Sequence, residues 1–430
     1  MRREYEYLVD KHLQEIKVSP TLSSKEKCRS IVKQGKQIFD FGLGQSPFPI
    51  PQRMVNALKI NASKKDYLPV AGLQLLREEI AKYNKAKNDL LAAQAENIIV
   101  GPGSKALIFL LQLVYNGTIL LPIPCWVTYY PQAKILQNKT NLIQTLKEDN
   151  WKLTPSLLKQ SVKKSKRFSQ LLILNYPNNP TGATYDKEEL QALAQVAKEK
   201  GIIILSDEIY GELHHENEHV SIARFYPEGT IISNGISKSY GAGGWRLGSF
   251  LFPDTLKPLR EAMVKIISES YSSVNAPTQF AAVEAYKMKQ TTEYYLSHCR
   301  RILKLIAQRL IAFLEDIDLV CGKPKGGFYI FVDFSKYKKQ LVQNKIITSQ
   351  QLCDKLLEEA SVAVLPASDF GMSKNELIIR LSYVNFNGEN ALKQSCLITL
   401  DKPLPSDFID LWCKNVLEGV NNIKEWVEKL

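Results

Sequence analysis

The sequence predicts an α/β protein: a mainly parallel sheet with helices on both faces, followed by a smaller α+β unit. Two observations carry this. Short apolar runs at Ile98–Val100, Thr118–Leu121, Leu171–Leu174, Gly201–Leu205 and Ile231–Ile232 recur along the chain, and stretches of helical period such as Lys187–Lys200 lie among them. That alternation is the pattern of strands buried on both faces. From about Tyr286 it gives way to a long basic helix, roughly Glu293–Glu315, and to strand-like segments at Gly326–Phe334 and Glu376–Ser382. A chain of 430 residues, 45% hydrophobic and 23% charged, is ample for a large core and more than one structural unit.

Taken in order, the chain opens on a charged arm in which Tyr5, Leu8, His12 and Leu13 have rough helical spacing. A Ser19-Pro20 break and a Ser23-Ser24 cap signal precede an expected helix near Lys25–Gly35. Ile38–Gly44 reads as a short strand entering a turn, and Pro47, Pro49 and Pro51 mark a first boundary. Pro51–Ala62 and Gly72–Ala86 read as helices. Ile98–Val100 leads through Gly-Pro-Gly-Ser into an apolar helix, so free N–H groups and a positive dipole end lie beside glycine, a cradle suited to an anion. It matches neither GxxxxGK[ST] nor GxGxxG. Residues 387–408 interrupt the second unit with no role that the sequence assigns.

Composition excludes several classes. The net charge is +12, but the lysines are scattered and the clearest basic run, Lys163–Arg167, has no aromatic interleaving, so nucleic acid is not expected. No apolar run approaches a membrane span and the first residues lack a signal-peptide core, so a soluble cytoplasmic protein is expected. Seven cysteines with no CxxC pair read as reduced thiols. His214, His215 and His219 lie among Glu212, Glu216 and Glu218 in what reads as a polar loop, and no metal is expected there.

The densest chemistry lies in Ile231–Phe250, where Ser237 and Lys238 precede a Gly-rich turn and Arg246. A lysine between apolar and small residues can lose solvent and become a nucleophilic amine, and an arginine fork suits a phosphate. Other unusual residues fall where strands end: Trp126, Asn179 in NNPTG, Asp207 and Tyr210 in SDEIY. Open α/β sheets bind ligands at that edge. Together they meet the needs of pyridoxal phosphate (PLP): Lys238 for the aldehyde, Asp207 for the ring nitrogen, Asn179 and Tyr210 for the ring hydroxyl, Trp126 for the ring face. The phosphate would take Arg246, Ser237 and the Gly103-Ser104-Lys105 turn. Arg380, a charge inside an apolar strand, is either a salt-bridged structural residue or a clamp for a substrate carboxylate.

The motifs FGLGQSPF, GPGSKA, CWVTYY, NNPTG, SDEIY, SKSYGAGGWRLG, GGFY and RLS run in order from about residue 38 to 383. In them the chain resembles the class I/II aminotransferases of PLP fold type I, most closely the bacterial aspartate and aromatic branch. The resemblance implies a seven-stranded-type central sheet in a large domain (48–288), a small discontinuous domain (18–47 with 289–430) and an N-terminal arm (1–17). It implies that Lys238 forms the Schiff base and later moves the proton, that Asp207 pairs the ring nitrogen, and that Asn179 and Tyr210 bond the ring oxygen. Trp126 would stack on the ring, Ser104, Lys105, Ser237 and Arg246 would surround the phosphate, and Arg380 would grip the substrate carboxylate beside the Gly44 backbone. Tyr67 would reach the phosphate of a partner subunit, so a homodimer with shared sites is implied. Gly235 departs from the pattern, standing where some relatives carry a phosphate-binding serine. The activity implied is ping-pong transfer of an amino group between an L-amino acid and a 2-oxo acid. A C–S β-lyase or synthase on the same cofactor site, or a non-catalytic ligand sensor on the same fold, stays open at this point.

Overall fold

The computed structural model describes residues 8–14, 16, 18–162 and 169–430. Tyr5 and the basic run Lys163–Arg167 lie outside them. Among the described residues the strands are β1 (Phe39–Asp40), β2 (Ile98–Gly101), β3 (Gly117–Ile123), β4 (Lys139–Gln144), β5 (Ser169–Asn175), β6 (Ile202–Asp207) and β7 (Thr230–Gly235). They continue with β8 (Gly248–Leu251), β9 (Val320–Cys321), β10 (Tyr329–Asp333), β11 (Val362–Ala363), β12 (Leu365–Pro366) and β13 (Ile378–Ser382).

The central sheet has seven strands in the order β2-β8-β7-β6-β5-β3-β4. Every pairing is parallel except those of β8, which runs against both β2 and β7. The expected mainly parallel sheet is therefore present. Its strands are apolar because both faces are covered: Leu171 and Ile173 belong to one core, Leu172 and Leu174 to another on the opposite face. The covering helices are cut as their sequences dictate. Helix Lys187–Lys200 starts in a capping box between Asp186 and Glu189 and stops at Gly201, whose φ of 64° ends it in the left-handed region. Such caps contribute about 1 kcal/mol each.

The second unit is an antiparallel sheet in the order β12-β13-β10-β9, with β1 pairing β11 apart from it. The long helix, Gln290–Glu315, begins three residues before the expected start and buries one face, including Ile302, Leu303, Ile306 and Leu310. The helix expected near Lys25–Gly35 runs from Pro20 to Lys33 instead. Ser23-Ser24 is not its cap: Pro20 occupies the first turn, where a missing N–H is harmless, and Ser19 precedes it.

Residues 387–408 have a structural role. Helix Gly388–Cys396 buries Ala391, Leu392 and Ser395, and Arg301 of the long helix closes its C-terminal end. Arg301 donates to Ser395 Oγ at 2.8 Å, to the Ile398 carbonyl at 2.8 Å, to the Thr399 carbonyl at 3.1 Å and to the Ser395 carbonyl. One guanidinium thus satisfies carbonyls that a helix end leaves without partners. The expected polar His loop is also different. His214 and His215 are buried, and burial pushes their imidazoles down to about 3 and about 4. Among the described residues no His, Cys, Asp and Glu group could hold a metal ion, no helix is long and apolar enough to cross a membrane, and all seven cysteines are free.

Candidate active site

A cavity of about 490 Å³ opens at the carboxyl ends of the parallel strands. Its floor includes Asn175 and Asp207, register partners at the ends of β5 and β6, and Ser233 of β7 is the next partner in that row, outside the lining. Asp207 is 2% exposed. Its Oδ2 accepts from the Tyr129 hydroxyl at 2.5 Å and its Oδ1 from Ser233 Oγ at 3.3 Å. Burial pushes this carboxyl up to about 6, while the bonds from Tyr129 and Ser233 hold it down.

Lys238 reaches the same cavity from the turn after β7. Its Nζ donates to the Gly44 carbonyl at 2.6 Å and lies 5.7 Å and 5.8 Å from the ring centres of Tyr210 and Phe328. Burial, then the charges of Arg380 and Arg246, push its ammonium down to about 8, with Asp207 opposing. An amine that gives up its proton near neutral pH is both nucleophile and base.

One wall is a main-chain cradle. Gly103 takes φ 89° and precedes helix Ser104–Val114. Three glycines, Gly101, Gly248 and Gly235, face one another across β2, β8 and β7, and the turn lies directly on the middle one. A Cβ on Gly248 would stand 2.5 Å from the Ser104 nitrogen. The same crowding accounts for Gly235: a Cβ there would lie 2.9 Å from the Leu247 carbonyl oxygen, so a serine needs the backbone to shift. Ser237 lines the cavity nearby. Arg246 closes over the cradle, with Nη1 donating to the Gly243 carbonyl at 2.9 Å and Nη2 to the Pro102 carbonyl at 3.3 Å. Burial and the Arg246 charge push the Lys105 ammonium down. Two cations facing bare N–H groups suit an anion. Trp126 stands beside them, 5.8 Å from Lys105 Nζ and edge-on to Tyr129.

The opposite wall comes from the antiparallel sheet. Arg380 is 2% exposed and lies over the rings of Tyr329 (4.7 Å) and Phe370 (5.3 Å). It donates to Asn179 Oδ1 at 3.3 Å and to the Gly42 carbonyl, while its Nε has no partner. Those acceptors are neutral, so the salt-bridged alternative is not what holds it. The Tyr210 and Tyr329 hydroxyls meet at 2.7 Å and join the two walls.

The predicted residues Gly44, Ser104, Lys105, Trp126, Asn179, Asp207, Tyr210, Ser237, Lys238, Arg246 and Arg380 all line this one cavity. Gly103 lies behind the Arg246 fork, 2.4 Å from Nη2 at its would-be Cβ. Tyr67 is not among the lining residues and is 91% exposed. Tyr129, Ser233 and Tyr329 were not foreseen. Ser233 is findable only once the register places it beside Asp207, and Tyr129 and Tyr329 stand in the motifs CWVTYY and GGFY without a function attached.

Residues 36–391 match the family described as aminotransferase class I and II. The chain belongs to this family. Aspartate aminotransferase of Geobacillus stearothermophilus is 34% identical over 375 residues, covering 85% of this chain and 91% of that protein. The solved structure of aspartate aminotransferase from Thermus thermophilus with maleate superposes with a TM-score of 0.82 at 27% identity, covering 97% of this chain and 99% of that one. The aromatic aminotransferase of Pyrococcus horikoshii gives 0.76 at 27% identity, over 94% and 99% of the two chains. Fold and family thus agree with the resemblance carried by the motifs, and the aminotransferase's unusual side chains gather where its parallel strands end.

Proposed function

We propose that this aminotransferase binds pyridoxal phosphate in the cavity and exchanges the amino group of aspartate or an aromatic L-amino acid with a 2-oxo acid. The observation that carries the reading is the meeting, in one cavity, of a buried carboxyl, an amine with a depressed proton affinity and a cationic main-chain cradle. These match the cofactor's ring nitrogen, aldehyde and phosphate. The names of the relatives support the substrate class.

In this reading Asp207, steadied by Tyr129 and Ser233, pairs the protonated ring nitrogen. Asn179 and Tyr210 bond the ring oxygen, and Trp126 covers the ring face. The Gly103-Ser104-Lys105 turn, Ser237 and Arg246 hold the phosphate. Bound there, pyridoxal phosphate supplies an electron sink for charge developing at the substrate's Cα. Arg380, with an unpartnered Nε, and the Gly44 backbone orient the substrate's carboxylate. Lys238 Nζ takes the Cα proton as general base and returns it to complete the transfer. The small side of the site (18–47 with 289–430) closes on the large one (48–288); of the arm expected at 1–17, residues 1–7, 15 and 17 lie outside the described residues. Tyr67, exposed and outside its own cavity, serves the phosphate of a second copy in a cytoplasmic homodimer.

The test is purified protein loaded with pyridoxal phosphate and given a panel of amino donors against 2-oxoglutarate, pyruvate and oxaloacetate. The expected result is sustained 2-oxo acid release that requires an acceptor and that Lys238→Ala abolishes. Continued release of oxo acid without an acceptor, beyond the one equivalent per site that a first half-reaction yields, would instead indicate elimination.

A further inference from the structure

Asp207 is followed by a second buried carboxylate that takes no part in lining the cavity. Glu208 is 1% exposed. Its Oε1 accepts from Ser206 Oγ at 2.7 Å and Ser221 Oγ at 2.5 Å, and His219 Nε2 lies 3.0 Å from its Oε2. Three donors on two oxygens suit the anion. His219 Nδ1 is buried without a partner, so the proton belongs on Nε2: a second one on Nδ1 would be buried and unpaired. The imidazole also touches the backbone. A Cβ on Gly211 would stand 2.9 Å from His219 Cδ2 and 3.0 Å from Nε2. Gly211 N–H in turn donates to the Glu208 carbonyl at 2.8 Å. One ring therefore grips both ends of the turn that carries Tyr210, Glu208 by a hydrogen bond and Gly211 by contact. The Tyr176 ring packs on its other side at 5.3 Å.

We propose that Glu208 and His219 are positioning residues of the transfer site: the pair clamps the Asp207–Gly211 turn from outside the cavity, fixes the Asp207 carboxyl and Tyr210 hydroxyl relative to the cofactor ring, and sets a standing negative charge behind Asp207. Neither residue lines the cavity, so both act through the turn. The proposal rests on the pyridoxal phosphate reading above. Glu208 is among the groups that push Asp207 up, after burial. The other titratable or charged groups facing Asp207 are Tyr129, Tyr210 and, across the cavity, Lys238 with Arg380 and Arg246 behind it; those facing Glu208 are His219 and Tyr176.

The experiment compares Glu208→Gln, His219→Ala and His219→Gln with the unaltered protein by three readouts: pyridoxal phosphate affinity of the apoprotein, the pH midpoint of the bound cofactor's visible absorbance, and thermal unfolding. Removing the charge in Glu208→Gln is expected to move the absorbance midpoint down by about half a pH unit, since a protonated centre in the cavity loses a distant anion. His219→Ala is expected to weaken cofactor binding roughly 5–10-fold, with His219→Gln, which keeps a donor, recovering most of it. Should Glu208→Gln not fold, the two His219 variants carry the test. Unchanged midpoint and affinity in variants with lowered unfolding temperature would reduce the pair to a structural contact and overturn the proposal. Absence of cofactor absorbance in the unaltered protein too would overturn the pyridoxal phosphate reading itself, and this proposal with it.

Discussion

The two sheets deliver chemistry to the cavity differently. The parallel sheet gives it from strand ends and the turns beyond them: Asn179 after β5, Asp207 and Tyr210 at and after β6, Lys238 after β7. The antiparallel sheet gives it from within or at the start of paired strands. Arg380 sits in mid-strand, opposite Phe331 on one side and Leu365 on the other, and Tyr329 opposite Ser382. A group at a strand end or in the turn beyond it is held mainly by side-chain bonds, and its replacement changes chemistry first. A strand-borne group is fixed by a ladder, so its replacement tests rigidity along with chemistry.

The largest effect that would sharpen this contrast is expected at Asp207. Asp207→Asn should lower kcat/KM by ~10²–10³-fold, the range for loss of one preorganised electrostatic group, yet stabilise the apoprotein. The folded carboxyl sits at about 6 against an ordinary 3.8, so the fold favours its protonated form. Ionisation therefore opposes folding as pH rises from about 4 through 6, and the penalty is absent below that window. Urea unfolding at pH 7.5 should show Asp207→Asn more stable by up to roughly 3 kcal/mol, and at pH 4 by almost nothing. Equal destabilisation at both would break the comparison.

On the other wall, Arg380→Lys keeps the charge and loses the planar fork. KM for the amino acid is expected to rise about 10–100-fold, with kcat changed less and unfolding shifted as well, because the Asn179 and Gly42 bonds go with the fork. Steady-state kinetics beside calorimetry separates the two parts. A smaller effect is expected at the seam between the walls. A Cβ on Gly44 would fall 2.0 Å from the Tyr329 hydroxyl oxygen. Gly44→Ala should destabilise by about 1–3 kcal/mol, and Tyr329→Phe in the same chain should restore part of it. Strict additivity of the two changes in denaturant unfolding would count against a shared contact.

The same contrast explains what could be read in the sequence. Strands β3, β5 and β6 and helix Lys187–Lys200 were legible because apolar runs and helical period are local signals. The turn-borne groups were legible for the same reason, since NNPTG, SDEIY and the lysine stretch each pack unusual residues into a few positions. β8 was not, although three of its four residues lie in the stretch Ile231–Phe250, because Gly-Ser-Phe-Leu carries no period of its own and the strand exists through its partners β2 and β7. Tyr129 and Ser233 were hidden because their importance is a distance to Asp207. His214 and His215 read as loop residues because polar neighbours mask burial that comes from packing on the Lys325–Gly327 backbone.

The glycine row beneath the cradle has one more consequence. Where Gly103 and Ser104 rest on β8, main chain meets main chain with no side chain between. The height of the cradle there is thus set by backbone against backbone. Apolar residues farther off can drift in size over many generations without raising or lowering it, whereas Gly248 is a single-letter change away from displacing it.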